Sequence, residues 1–317
     1  MRIKIAQQLA NVDTIDLLSG YHQIFQGPPP DISSYIVKSG VADAFLIPHD
    51  AMHWTKEYTR FVESLSQENP VIFFNRGDYP SNIKIENAYS IQNTITRTKT
   101  NVILAPYNVL TLGLKNIREY TQNPTISFVG FVPNLLSRRL LKNPTRTISH
   151  PLKNSSAIVR KFGLYNLEKC FSNSEIVRRN HYGGSSRLIE NPISFREVFI
   201  DSIYNVDLVF APRGDANGSQ RFFETLSAGR IPIVPETGMR MPLDITSQAE
   251  LTFLSCSTLS FDIHDVVMSW WSRLNNSEFK DIQVKNFQLY SDKLDYRKFI
   301  TDFFTSELGA VNKLPYE

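Results

Sequence analysis

The chain has 317 residues, 42% of them hydrophobic and 21% charged, and a formal net charge of +3. This is the composition of a soluble globular protein, not a disordered or fibrous one, and no apolar run reaches the ~20 residues that a membrane-spanning helix needs. Two scattered cysteines exclude a disulfide framework or a thiolate metal site, and the weak, diffuse positive charge falls short of a nucleic-acid-binding stripe.

A single hydrophobic core rarely grows past ~250–300 residues, so the length points to two domains. The opening MRIKIAQQLA reads as a strand and not as a signal peptide. With so few cysteines, the expected location is cytoplasmic.

Ile3 to Ala6, Ala44 to Ile47, Val71 to Phe74 and Val102 to Ala105 read as short buried strands with helical patterns between them, which predicts an α/β sheet. Ala51 to Ser66 places Trp54, Tyr58, Phe61, Val62 and Leu65 at near-helical spacing, so it predicts an amphipathic helix with an aromatic core face. Gly27 to Pro30 is a stiff loop. Open α/β sheets bind ligands at the carboxyl ends of their strands, which singles out His49 and Asp50 after one strand and Asp78 after another. The plainer readings are a helix N-cap for Asp50 and a turn residue for Asp78. His49 and His53 have the spacing of two metal ligands on a helix but lack the glutamate of H-E-x-x-H, so no metal site is assigned.

The chain turns polar between Tyr107 and Asn123, and the segment from Pro124 to Phe131 then opens a new strand containing Gly130. The boundary is expected near residue 120: an N-terminal unit 1–120, a C-terminal unit 121–292, and a terminal segment 293–317. Gly130 would let the backbone approach a ligand. Asn134 to Lys142 reads as a helix. Arg160 and Lys161 are either phosphate contacts or part of a solvated face. His181 to Ser186 is a turn-rich loop, and Ile193 to Tyr204 is helical by pattern. The absence of G-x-G-x-x-G leaves a nicotinamide-type site unsupported.

The densest chemistry lies in Asp207 to Leu243. Asp207 to Ala211 is a strand, Pro212 breaks it, Gly214 to Gly218 supply a loop, and a helix capped by Asn217 or Ser219 runs to Gly229 before the strand Ile231 to Val234. A loop feeding a helix N-terminus suits a phosphate or diphosphate, and Arg213 and Arg221 add bidentate donors. Glu224 lies three residues beyond Arg221 on the same helix face. The plainer reading of those two is a surface pair worth a few tenths of a kcal/mol. Thr237 and Gly238 follow a strand end and can line the same site with backbone groups. Ile263 to Leu274, with Trp270 and Trp271, and Tyr296 to Leu308 read as amphipathic helices.

Pro212, Arg213, Gly214, then Ser219, Arg221, Phe222, Glu224, Leu226, Gly229, Ile231, Pro232 and Ile233 resemble, in order, the signature of exostosin-like glycosyltransferases. The resemblance implies the GT-B architecture, two Rossmann-like domains facing a cleft, with the last helix crossing back toward the first domain. It implies an inverting transferase that moves a sugar from a nucleoside-diphosphate sugar, with UDP as the expected carrier, to a glycan or lipid-linked oligosaccharide acceptor. Carried over by position, Glu224 holds the donor ribose and Arg213 and Arg221 hold the diphosphate; Gly130, Gly214, Gly218, Ser219 and Thr237 are expected beside them from their places at strand ends and in the loop. The general base that removes the acceptor proton falls to Asp78, Asp50 or His49. No Asp-x-Asp occurs, so the diphosphate is expected to be held without a metal or other cofactor, by arginines and a helix dipole. Peripheral membrane contact is compatible with the mild positive charge. The competing reading is a sugar-nucleotide-binding scaffold of the same fold that has lost turnover.

Overall fold

The structure, a computed structural model, describes residues 2–5, 33–36, 42–47, 54–75, 85–93, 102–132, 156–181, 190–214, 217–240, 242 and 252–305. The chain divides into two compact units: Met1–Asn108 with Arg240–Leu243 and Lys293–Glu317, and Val109–Met239 with Asp244–Asp292.

In the first unit, β1 (Ile3–Ile5), β2 (Ala44–Ile47), β3 (Val71–Asn75), β4 (Ala88–Gln92) and β5 (Val102–Leu104) form a parallel sheet in sequence order. A parallel sheet covered on both faces needs strands that are apolar on both sides, which is why β2, β3 and β5 read as unbroken hydrophobic runs. One face (Phe45, Ile47, Val71, Phe73) packs on Tyr58 and Val62 of α1 (Lys56–Glu68). This helix begins at Lys56 and not at Ala51, because Thr55 is its N-cap and its hydroxyl accepts from the Tyr58 amide at 3.1 Å. The other face (Leu46, Ile72, Phe74, Ile91, Ile103) is covered by Ile300, Phe303 and Phe304 of the last described helix, Tyr296–Thr305. Sequence patterning passed over β4 because it alternates polar residues into the sheet. There, buried Gln92 donates to buried Ser90 at 2.8 Å, while the Gln92 side-chain oxygen meets no donor among the described residues.

The second unit is another five-stranded parallel sheet, ordered β10 (Leu254–Cys256), β9 (Ile231–Pro235), β8 (Leu208–Phe210), β6 (Ile126–Phe131), β7 (Ser174–Arg179). Its helices are α2 (Ser156–Cys170), α3 (Pro192–Tyr204), α4 (Gln220–Ser227), α5 (Ile263–Trp271) and α6 (Asn276–Leu289); the first unit's last helix, Tyr296–Thr305, is α7. Ile126, Phe128, Leu208 and Phe210 face α2, α5 and α6 through Leu164, Leu167, Trp271 and Phe279. Val129 and Val209 face α3 through Phe199 and Ile203. Gly163 of α2 permits close helix–sheet packing, since a Cβ there would lie 2.3 Å from the Phe210 ring.

The units divide after Asn108, ahead of the boundary expected near residue 120, because the intervening segment is bonded into the second unit. The amides of Leu112 and Gly113 donate to the Ser227 hydroxyl and carbonyl, and Arg118 donates to buried Asp207 at 2.6 Å. Arg230, wholly buried, completes that attachment. Its guanidinium donates to the carbonyls of Asn116, Ala228 and Tyr204 and to the side chains of Asn116 and Gln283.

Both cysteines are free, Cys170 exposed and Cys256 buried. Burial pushes the Cys256 thiol up to about 12, so at pH 8 it carries almost no thiolate. A disulfide reagent at pH 8 is expected to modify one thiol per native chain, Cys170, and the second only in denaturant. Two fast-reacting thiols in the native protein would contradict this burial. No helix among the described residues is long and apolar enough to cross a membrane.

Candidate functional site

In the second sheet the chain leaves β6 toward β7 on one side, then returns past β6 to place β8 on the other. The strand order therefore reverses between β6 and β8. The crevice at the carboxyl ends of two such strands is where open α/β sheets take ligands. Gly130 and Phe131 end β6; Pro212, Arg213 and Gly214 follow β8.

The loop after β8 is short and internally tied. The Gly214 amide donates to the Gly218 carbonyl at 2.7 Å, closing the turn. Asn217 does not cap α4. Its side-chain amide donates to the Gly238 carbonyl at 2.9 Å, and its oxygen accepts from the Thr237 hydroxyl at 3.1 Å, which fastens the loop to the end of β9. Ser219 is the N-cap residue, and its side chain makes no capping bond. The Phe222 amide in the first turn donates to the Ser219 carbonyl at 3.2 Å, and the positive end of the α4 dipole lies at this mouth. At its other end α4 closes in a Schellman motif: Gly229 at φ 70° sends its amide to Leu226, and Arg230 sends its amide to Thr225. A Cβ at Gly229 would also meet the Gln283 carbonyl at 2.7 Å, so both conformation and space require glycine there.

Arg221 in the first turn of α4 reaches back to β6. Its Nη2 donates to the Val129 carbonyl at 2.6 Å, and its guanidinium lies 4.3 Å from the Phe128 ring and 5.4 Å from that of Phe199. It also explains Gly130: a Cβ there would stand 2.5 Å from Arg221 Nη2, so the space that glycine leaves open is taken by the guanidinium. The Arg221 Nε–H is buried and meets no acceptor among the described residues. Arg160 of α2 spans the two strand ends, donating to the Phe131 carbonyl at 2.7 Å and to the Arg213 carbonyl at 3.2 Å. The Arg213 side chain is buried, its Nε–H directed to the Gly214 carbonyl at 3.2 Å.

Glu224 is buried too, and it is not paired with Arg221. Its Oε1 lies 2.6 Å from Nη2 of Arg196 on α3, with both side chains less than a tenth exposed. Beyond Arg196 stands Arg179 at the end of β7, stacked 3.4 Å over the Phe195 ring. Positive charge is in excess here. Burial first, and then Arg160, Arg179 and Arg196, push the Arg221 guanidinium down to about 9 against the opposing pull of Glu224 alone. Burial and Arg196 likewise lower Arg179 to about 10. A cavity of about 410 Å³ lies on the flank of this cluster, lined by Arg179, His181, Asn191, Ser194 and Phe195 but by none of Arg213, Arg221 or Glu224.

The structure thus gathers Gly130, Arg213, Gly214, Gly218, Ser219, Arg221, Glu224 and Thr237 around one sheet edge. His49, Asp50 and Asp78 lie outside the described residues, as do His53, Gly27 to Pro30 and Asn134 to Lys142. Arg179 and Arg196 were missed from the sequence. The available signal was Phe195-Arg196 followed by Phe199, an arginine set among the apolar positions of a helix otherwise turned inward.

No family profile matches the sequence, and no curated protein matches it. Among solved structures, the chain is similar to HepE from Anabaena in complex with UDP and glucose, at 11% identity and a TM-score of 0.42 over 84% of this chain and 78% of that one. It is similar to WaaG, a glycosyltransferase involved in lipopolysaccharide biosynthesis, at 8% identity and a TM-score of 0.37 over 86% and 91%. It is also similar to a TarM mutant from S. aureus in complex with Fondaparinux, α-GlcNAc-glycerol and UDP, at 10% identity and a TM-score of 0.38 over 83% of this chain and 55% of that one. Two parallel-sheet α/β units in one chain fit the GT-B fold that the sequence led us to expect.

Proposed function

We propose that the chain is an inverting, metal-independent glycosyltransferase that moves a sugar from a nucleoside-diphosphate sugar, with UDP as carrier, to a glycan or lipid-linked acceptor. One observation carries the reading: a cluster of buried and half-buried arginines at the switch point of the second sheet holds more positive charge than Glu224 offsets. Burying guanidinium groups without matching carboxylates costs stability, and a diphosphate removes that cost by replacing lost water with anionic oxygens. In this reading Arg221 and Arg213, with the mouth of α4, hold the leaving diphosphate, and Glu224 takes the ribose hydroxyls. Developing charge on the departing diphosphate is met by fixed donors, so the reaction needs no metal to stabilise it. The general base is one of Asp78, Asp50 or His49, on the first unit. The exostosin-like resemblance supports the same assignment through the motif residues themselves. The free cysteines fit a cytoplasmic location.

UDP at a hundred times its Kd is expected to stabilise the protein by about 2.7 kcal/mol, with uridine giving almost none of this and EDTA leaving it unchanged. Thermal melting over UDP, UMP and uridine checks the diphosphate; NMR of the product anomer checks inversion. A UDP shift that vanishes in EDTA would overturn metal independence. Saturable UDP binding without transfer or donor hydrolysis would leave a binding scaffold in place of an enzyme.

A further inference from the structure

We infer that Arg196 is a positioning residue for the nucleotide: it fixes one oxygen of Glu224 so that the other is held ready for a ribose hydroxyl, and it cancels the charge that would repel the diphosphate. This rests on the reading of Glu224 as the ribose ligand.

The geometry is a two-rung ladder between neighbouring helices. Arg196 and Phe199 are three residues apart on α3, and Arg221 and Glu224 are three apart on α4, so each pair shares a helix face. Arg196 Nη2 meets Glu224 Oε1 at 2.6 Å, and the Phe199 ring lies 5.4 Å from the Arg221 guanidinium. The Arg196 guanidinium is itself 4.8 Å from the Phe199 ring, and that contact limits its rotation. One rung therefore sets the carboxylate, and the other sets the arginine assigned to phosphate.

The pair also answers an electrostatic objection to the site. A bare carboxylate one helical turn from a diphosphate would weaken its binding. Arg196 approaches from α3 and faces Glu224, with Arg179 behind it. The anion consequently meets a net positive surface. A planar guanidinium seated near the Phe199 ring suits this task better than a freely rotating ammonium, because the ring contact fixes where Nη2 stands against the carboxylate.

The discriminating quantity is the ratio of the Kd for 2′-deoxy-UDP to that for UDP, measured by titration calorimetry. A hydrogen bond to a charged group is worth ~1.5–3 kcal/mol, so the natural protein is expected to show a ratio of about 10 to 100. Arg196→Gln is expected to bring the ratio to about 1–3 while circular dichroism stays native. The double variant Arg196→Gln/Glu224→Gln is expected to match the Glu224→Gln single variant, since the arginine acts only through the glutamate. Should Arg196→Gln not fold, Arg196→Lys keeps the charge and is expected to lose more than half of the discrimination in logarithmic terms. A folded Arg196 variant with an unchanged ratio would overturn the inference and leave the site reading intact. A natural protein that binds UDP without preferring the ribose would overturn the role of Glu224, and one that binds no UDP would overturn the site reading as a whole.

Discussion

An Arg230→Ala variant is expected to melt about 10 °C below the natural chain, the largest stability loss of any single change considered. Arg230 is fully buried, and among the described residues no carboxylate accepts from it; its two Nη groups donate to three carbonyls and two side-chain amides, and its Nε–H meets no acceptor there. Two effects oppose each other. Burial pushes the guanidinium down to about 10, so holding its charge at neutral pH costs the fold something, and truncation would release that cost. Truncation also orphans acceptors of Asn116, Tyr204, Ala228 and Gln283 in a place without solvent, at ~1–3 kcal/mol each, and leaves a cavity besides. The orphaned acceptors win, even when a water enters to satisfy some of them, and a net loss of about 4 kcal/mol results. At ~2–4 °C per kcal/mol for a unit of this size, that is roughly 10 °C. Arg230→Lys is expected to recover less than half, since one ammonium cannot span acceptors placed on either side of a fork. Scanning calorimetry decides the matter: a drop smaller than about 3 °C would show that the network is dispensable.

Arg221→Met is expected to do the opposite, keeping or raising stability while weakening UDP binding by about 100-fold. The guanidinium sits between the Phe128 and Phe199 rings with a buried N–H that lacks an acceptor among the described residues. Its proton is held less tightly in the fold than in the unfolded chain, whose guanidinium titrates far above about 9, so the charge opposes folding throughout the neutral range. A thioether of similar length fits between two rings without that cost, and swapping a buried ion for a packed apolar side chain is commonly neutral or stabilising. The loss of one charge-assisted bond to the Val129 carbonyl, worth ~1.5–3 kcal/mol, offsets part of the gain. A residue that costs stability while unliganded and is kept for its ligand is the pattern expected of a binding site. The same melting and titration experiments read both quantities. A destabilised variant that still binds UDP normally would mean that Arg221 is structural.

The sheets were legible where both faces of a strand are buried, as in Ala44–Ile47, Val71–Asn75 and Ile231–Pro235, because continuous apolar runs admit few other readings. The strands Ala88–Gln92 and Ser174–Arg179 were not. The first buries a hydrogen-bonded Ser–Gln pair, and the second lies at the edge of its sheet, where charged residues are tolerated. The loop and helix carrying Arg213, Arg221 and Glu224 could be located because their chemistry is local in sequence. Their partners could not. Arg196 meets Glu224 across 28 positions of chain, and Arg160 reaches Arg213 across 53, contacts that only the tertiary fold creates. Asn217 shows the limit from the other side, since local spacing favoured a helix cap while the fold offered it Thr237 and Gly238.

The covering of β2 to β5 by Ile300, Phe303 and Phe304 sets an order of events during synthesis. Nascent chains ordinarily acquire structure from the amino end onward. Here the opening sheet must wait with one greasy side bare while almost two hundred further residues are translated, and the middle of the polypeptide can collapse into its own finished body first. A ribosomal stall or proteolytic nick between residues 292 and 296 would release a protein whose later half is sound and whose earlier half is primed to aggregate.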